Sequence, residues 1–128
     1  MKMQKRLFLT GTALATLTLV APLAMAQSDT FKIGLILPMT GQQATTGRQI
    51  EAAAKLYMAQ NGDMIAGKKV QLIIKDDTSI PDVTKRMAQE LVVNEKVNVL
   101  AGMGITPSAL ATAAIATQSK TPDRKSVV

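Results

Sequence analysis

Apolar residues crowd together at Phe31, Ile33, Leu35, Ile36 and Leu37 with little polar alternation. Such a run suits a parallel strand covered on both faces better than a strand with one wet face. Pro38 ends it, and Gly41 and Gly47 let the chain turn before the period changes. Ile50, Ala53, Ala54 and Tyr57 then recur at i, i+3, i+4 and i+7, the inner face of a helix over residues 46–61 that Asn61-Gly62 closes. A connection through Gly67 leads to a second strand over residues 70–75. A second helix has Pro81 near its first position and Val83, Met87, Ala88 and Leu91 facing inward. A third short strand, residues 97–101, is followed by Gly102-Met103-Gly104-Ile105-Thr106-Pro107-Ser108 and an alanine-rich helix to about Ser119. Thr106 reads there as the N-cap and Pro107 as the first helical residue. Three strand–loop–helix units in series predict an α/β fold with a parallel sheet and right-handed crossovers.

The first loop is the most pointed piece of chemistry in this pattern. Thr40, Thr45 and Thr46 set hydroxyls and main-chain amides at the mouth of the first helix, where open α/β sheets bind small ligands. The segment before it sets the expected compartment. Lys2, Lys5 and Arg6 give a basic start, residues 7–20 are uncharged and mostly apolar, Pro22 follows, and Ala24-Met25-Ala26 supplies a small-x-small cleavage pattern. Residues 1–26 therefore read as a signal peptide, and the mature chain is expected to begin at Gln27 in the periplasm. The apolar run is short of the roughly 20 residues that a membrane span needs. No cysteine follows it to carry a lipid.

The formal charge of +6 does not point to nucleic acid. Residues 27–122 hold ten Lys/Arg against eight Asp/Glu, without a basic stripe, and two Phe and one Tyr offer no stacking platform. With no Cys and no His, thiol nucleophiles, thiolate metal sites and the usual triad base are all missing. Asp76 and Asp77 are paired only in sequence: neighbours on an extended chain point to opposite sides, so loop hydrogen bonding at a strand end is the expected role. Gly102-x-Gly104 lacks the third glycine of the dinucleotide fingerprint, Pro107 standing in its place, and no phosphate loop occurs. Neither an enzyme nor a cofactor or metal site is expected.

Residues 31–122 resemble the amino-terminal lobe of the type I periplasmic solute-binding proteins, the branched-chain amino acid and amide branch that serves ABC importers. The resemblance rests on IGLILPMTG with the following Gly47, the first helix, VQLIIKDDTS, TKRMAQELV, and VNVLAG with its Thr/Ser loop, all in order. It implies two α/β lobes, each a Rossmann-like three-layer lobe with a parallel sheet and only the first three βα units of the amino-terminal one present here, with the solute in the cleft between them, no catalysis, and delivery of the solute to a membrane permease. By position, Thr106 and Ser108 match the groups that anchor an amino-acid-like solute, Thr46 lies beside the solute's side chain, and Met39, Thr40 and Gly41 form the neighbouring wall. Gln42 departs from the proline common there. Branched-chain amino acids, amides and aromatic acids all fit the resemblance, a monomer is the expected state at full length, and a ligand-sensing protein of the same fold is the alternative.

The resemblance also calls for a fourth strand after Pro122 and for a second lobe. Residues 123–128, Asp-Arg-Lys-Ser-Val-Val, do not continue the apolar pattern and read as a non-native tail. The third strand is then expected to be an uncovered apolar edge, and the chain as written to be inactive or weak as a receptor.

Overall fold

The computed structural model describes residues 30–125; the expected signal peptide and residues 126–128 lie outside them. The elements are β1 (Thr30–Leu37), α1 (Ala44–Asn61), β2 (Met64–Ile65), β3 (Lys68–Asp76), α2 (Pro81–Val93), β4 (Val99–Gly102), α3 (Thr106–Ser119) and β5 (Asp123–Lys125). The five strands form one sheet in the order β2-β3-β1-β4-β5. As the apolar run of β1 requires, that strand is central and pairs in parallel with β3 on one side and β4 on the other.

Two short strands were not legible in advance. Met64–Ile65 pairs antiparallel with the start of β3, with Ile65 opposite Lys68 and the two-residue loop Ala66-Gly67 between them. Both loop residues have positive φ, 50° and 78°, as a tight hairpin turn demands. At the other edge, Leu100 pairs with Asp123, Ala101 with Arg124 and Gly102 with Lys125 in parallel. The expectation of an uncovered edge at the third strand is therefore corrected. Backbone hydrogen bonding does not require apolar side chains, so a polar segment pairs there.

The pairing register sorts side chains onto two faces. Gly34 and Ile36 of β1 share a face with Ile73 and Lys75 of β3 and Leu100 of β4. On this face α2 and α3 pack, and the core runs through Ile36, Ala88, Leu91, Val97, Leu100, Met103, Ala109, Ile115 and Ala116. Gly34 keeps its place there because a Cβ would stand 3.0 Å from Leu91 and 3.2 Å from Leu100. Phe31, Ile33, Leu35 and Leu37 point to the other face with Val70, Leu72 and Ile74. That face carries α1 alone, and between helix and sheet a cavity is lined by Ala54, Tyr57 and Met58 of α1 and by Ile33, Val70 and Leu72 of the strands.

Helix boundaries differ from expectation in instructive ways. The first helix begins two residues earlier, at Ala44, and its expected inner-face residue Tyr57 is 61% exposed. α2 begins at Pro81 as expected. In α3 the N-cap is Ile105, extended at φ −133° and ψ 149°, and Thr106 is the first helical residue. The Ala109 amide donates to the Ile105 carbonyl at 3.1 Å, so the ladder starts one residue before the expected cap.

Candidate solute site at the carboxyl edge of the sheet

Three loops gather at the carboxyl ends of the parallel strands: residues 38–43 after β1, 77–80 after β3 and 103–105 after β4. The chain leaves β1 for a helix on one face and leaves β4 for a helix on the other. The two loops therefore diverge and leave a crevice between adjacent strands, the topological switch point where open α/β sheets bind ligands. Glycines let the backbones close up here. Gly47 lies so near the Pro38 carbonyl that any Cβ would overlap it, and Gly102, at φ +100°, is held equally close to the Ile36 carbonyl.

On the β1 side, Met39 is half-buried while Thr40, Gly41, Thr45 and Thr46 are exposed. No side chain caps α1 and its first turn carries no acidic residue; the Ala44 amide donates to the Gly41 carbonyl at 3.3 Å, which leaves the Thr45 and Thr46 amides and the positive dipole end at the helix mouth. On the β4 side, Thr106 is exposed in the first turn of α3, which also lacks an acidic residue and a side-chain cap. Met103 is fully buried with φ 58° and belongs to the core. Thr46 and Thr106, in the first turns of the two helices, and the Met39–Gly41 segment thus flank the crevice, with two helix N-termini suited to a carboxylate.

Ser108 does not join them. Its side chain is fully buried, and its Oγ lies 2.7 Å from Thr84 Oγ1. Thr84 Oγ1 is in turn 2.9 Å from Asp77 Oδ2. Each hydroxyl carries a single proton, and the arrangement that satisfies all three groups has Ser108 donating to Thr84 and Thr84 donating to Asp77. The Ser108 hydroxyl anticipated at the solute is engaged inside the protein instead, tying α3 to α2.

Asp76 points the opposite way and holds the first loop. Its Oδ1 accepts from the Met39 amide at 2.9 Å, the Thr78 amide at 2.8 Å and the Thr40 amide at 3.3 Å, and its Oδ2 accepts from the Thr40 hydroxyl at 2.6 Å. Burial by itself raises the Asp76 carboxyl pKa, but the Thr40 hydroxyl and the Thr78, Met39 and Thr40 amides outweigh it, leaving the group below its ordinary value of 3.8. The sequence pattern anticipated loop hydrogen bonding by this pair and missed which loop each carboxylate would hold. The signal available was the alternation of a strand, which sends neighbours to opposite faces. Among the described residues, no group of acidic side chains could hold a metal ion, and no helix is long and apolar enough to cross a membrane.

Residues 30–124 match the family model described as periplasmic binding protein. The chain belongs to the periplasmic binding protein family. Its relatives are solute-binding proteins of ABC transporters, which are not enzymes. A Leu/Ile/Val-binding protein homolog 6 of Brucella abortus is 38% identical over 112 residues, covering 87% of this chain and 28% of that protein. A solute-binding protein of an ABC transporter from Rhodopseudomonas palustris BisB5, solved in complex with 3,4-dihydroxybenzoic acid, is 64% identical with a TM-score of 0.74. The match covers 76% of this chain and 27% of that one. Another solute-binding protein from R. palustris, in complex with 4-hydroxybenzoate, is 34% identical with a TM-score of 0.72, over 76% of this chain and 27% of that one. This periplasmic binding protein chain thus spans about a quarter of the length of the relatives it matches.

Proposed function

We propose that this chain is the part of an ABC importer's solute-binding protein that contributes one wall of the solute cleft, and that the solute is a hydroxylated aromatic acid. The observation carrying the choice of solute is the gap in similarity. Identity is 64% to the protein in complex with 3,4-dihydroxybenzoic acid, against 38% to the Leu/Ile/Val-binding homolog. The geometry supports an acid of this kind. Two helix N-termini without acidic residues offer amides and dipole ends to a carboxylate, and the exposed Thr46 and Thr106 offer hydroxyls for the ring substituents, beside the Met39–Gly41 wall that Thr40 ties to Asp76. The proposal includes export to the periplasm with removal of residues 1–26 and a membrane permease as partner.

The test is a titration followed by amide NMR, using protein from the periplasm whose intact mass is expected to correspond to a start at Gln27. The ligands are 3,4-dihydroxybenzoate, 4-hydroxybenzoate and leucine. One wall of a cleft leaves its ligand largely in water, so affinity is expected near millimolar, the weak end of the scale. Shifts at residues 39–41, 46 and 106 with both benzoates, larger than those with leucine, support the reading. Shifts with leucine alone, or none with the benzoates, overturn it.

A further inference from the structure

Two chain segments far apart in sequence meet on one carboxylate. Asp76 ends β3, yet three of its four hydrogen-bond donors belong to the loop after β1: the Met39 amide, the Thr40 amide and the Thr40 hydroxyl. The fourth, the Thr78 amide, closes a tight turn on the Asp76 side chain itself. Thr78 and Ser79 follow with φ of 53° and 63°, a region that residues with a Cβ seldom occupy. Gly41 completes the junction. At φ +82° it packs so closely that a Cβ would stand 2.9 Å from the Thr78 carbonyl oxygen. The first loop therefore has no side-chain helix cap of its own and borrows its shape from the end of the neighbouring strand.

We infer that Asp76 is a positioning residue of the solute site, setting the height and direction of the Met39–Gly41 wall without touching the solute. This inference rests on the solute-binding reading above. A carboxylate offers about four acceptor positions, two on each oxygen; here three donors crowd Oδ1 and the Thr40 hydroxyl takes one position on Oδ2, which leaves Asp76 little capacity for a ligand. Its action on a solute passes through the loop. Asp77, one residue on, reaches the first turn of α3 through Thr84 and Ser108, so the turn after β3 supports both the first loop and the start of α3.

Amide hydrogen exchange and the 3,4-dihydroxybenzoate titration, both read by NMR on the full chain, test this with three variants. Asp76→Ala removes every acceptor. Asp76→Asn keeps a carbonyl oxygen for the amides and turns its NH2 toward the Thr40 hydroxyl, and Thr40→Val deletes that hydroxyl. In Asp76→Ala, exchange at Met39, Thr40 and Thr78 is expected to quicken by about tenfold or more while Ile36 and Leu100 keep their protection. Ligand-induced shifts at residues 39–41 should vanish with it. Asp76→Asn should restore both to within about threefold, and Thr40→Val should fall between, because geometry rather than net charge is what the solute sees. Where the alanine variant does not fold, the asparagine and valine variants carry the same comparison. Faster exchange with unchanged ligand shifts would show a loop tie that does not serve the solute, overturning the inference, and unchanged exchange would overturn it as well. No shifts in the unsubstituted chain overturn the solute reading and this role with it, whereas normal shifts with unaltered exchange overturn this role alone.

Discussion

The two faces of the sheet are built to different standards. Toward α2 and α3, Ile36, Ala88, Leu91, Leu100 and Met103 are all at 0% exposure. Toward α1, Leu35, Leu37 and Val70 are buried, but Phe31 at the start of β1 is 36% exposed, Tyr57 of the helix 61%, and the hairpin residues Met64 and Ile65 are as open. The cause is width. Five strands at about 4.8 Å spacing span about 19 Å, and one helix with its side chains covers only about 10–12 Å. Two helices close one face and one helix cannot close the other, although β1 presents large apolar residues to both. Stability in this chain is therefore expected to be concentrated on one side of the sheet.

The sharpest way to break that contrast is to remove one large side chain from each face. Leu91 is fully buried among Gly34, Leu100 and Val97. Leu91→Ala deletes buried methyl groups and leaves a cavity, and should cost about 2–5 kcal/mol. Tyr57→Ala on the open face removes a mostly exposed ring and should stay within about 0.5–1 kcal/mol. Urea melts of the two variants measure both, and equal losses would show that the α1 face is as consequential as the other.

A smaller effect is expected from the polar link inside the closed face. Thr84→Val is close to isosteric, but it leaves Asp77 Oδ2 and Ser108 Oγ without their shared partner in a site that water does not reach. Unpaired buried groups cost about 1–3 kcal/mol. Thr40→Val deletes an exposed hydroxyl on the other side of the strand end, so global stability should change by less than about 1 kcal/mol. A thermal melt in which the two variants shift alike would erase the distinction between the carboxylates.

The parts of this architecture that were legible beforehand are those where burial and period agree. The near-continuous apolar run of β1 announced a parallel strand flanked on both faces, and Pro81 announced the start of α2. β2 and β5 escaped notice for a physical reason. Their pairing is carried by backbone groups, and neither Met64-Ile65 nor Asp123-Arg124-Lys125 has the length or alternation that marks a strand. At the site, the exposed threonines of the two loops were readable from their place before helices, and Ser108 was not. Thr106 and Ser108 are two residues apart, so they point to nearly opposite sides of the helix; which of them faces the crevice depends on how α3 packs on α2, and Thr84, the partner that claims Ser108, lies 24 residues away. Tyr57 was misplaced because a helix period names a face without saying whether anything will cover it.

The mildest test concerns pH and separates the adjacent carboxylates again. Asp76 has its folded-state pKa held below 3.8 by the Thr40 hydroxyl and by the amides of Thr78, Met39 and Thr40, against the opposing effect of burial. A carboxyl that is more acidic when folded binds fewer protons in the folded state, so its contribution is fully present above the unfolded value. That contribution fades only as pH falls through the lower folded value. Because the group sits near the surface, solvent screening keeps the effect on global stability small. The local consequence is clearer: a protonated Asp76 must give up acceptor capacity, and the Met39 and Thr40 amides lose a charged partner. Amide shifts of these two residues should therefore be constant from pH 7 to about pH 5 and move together only in the acid range below 3.8. In Asp76→Asn the same amides should show no such step. A step that survives the substitution would assign the titration to another group and remove Asp76 from its place as the tie of the first loop.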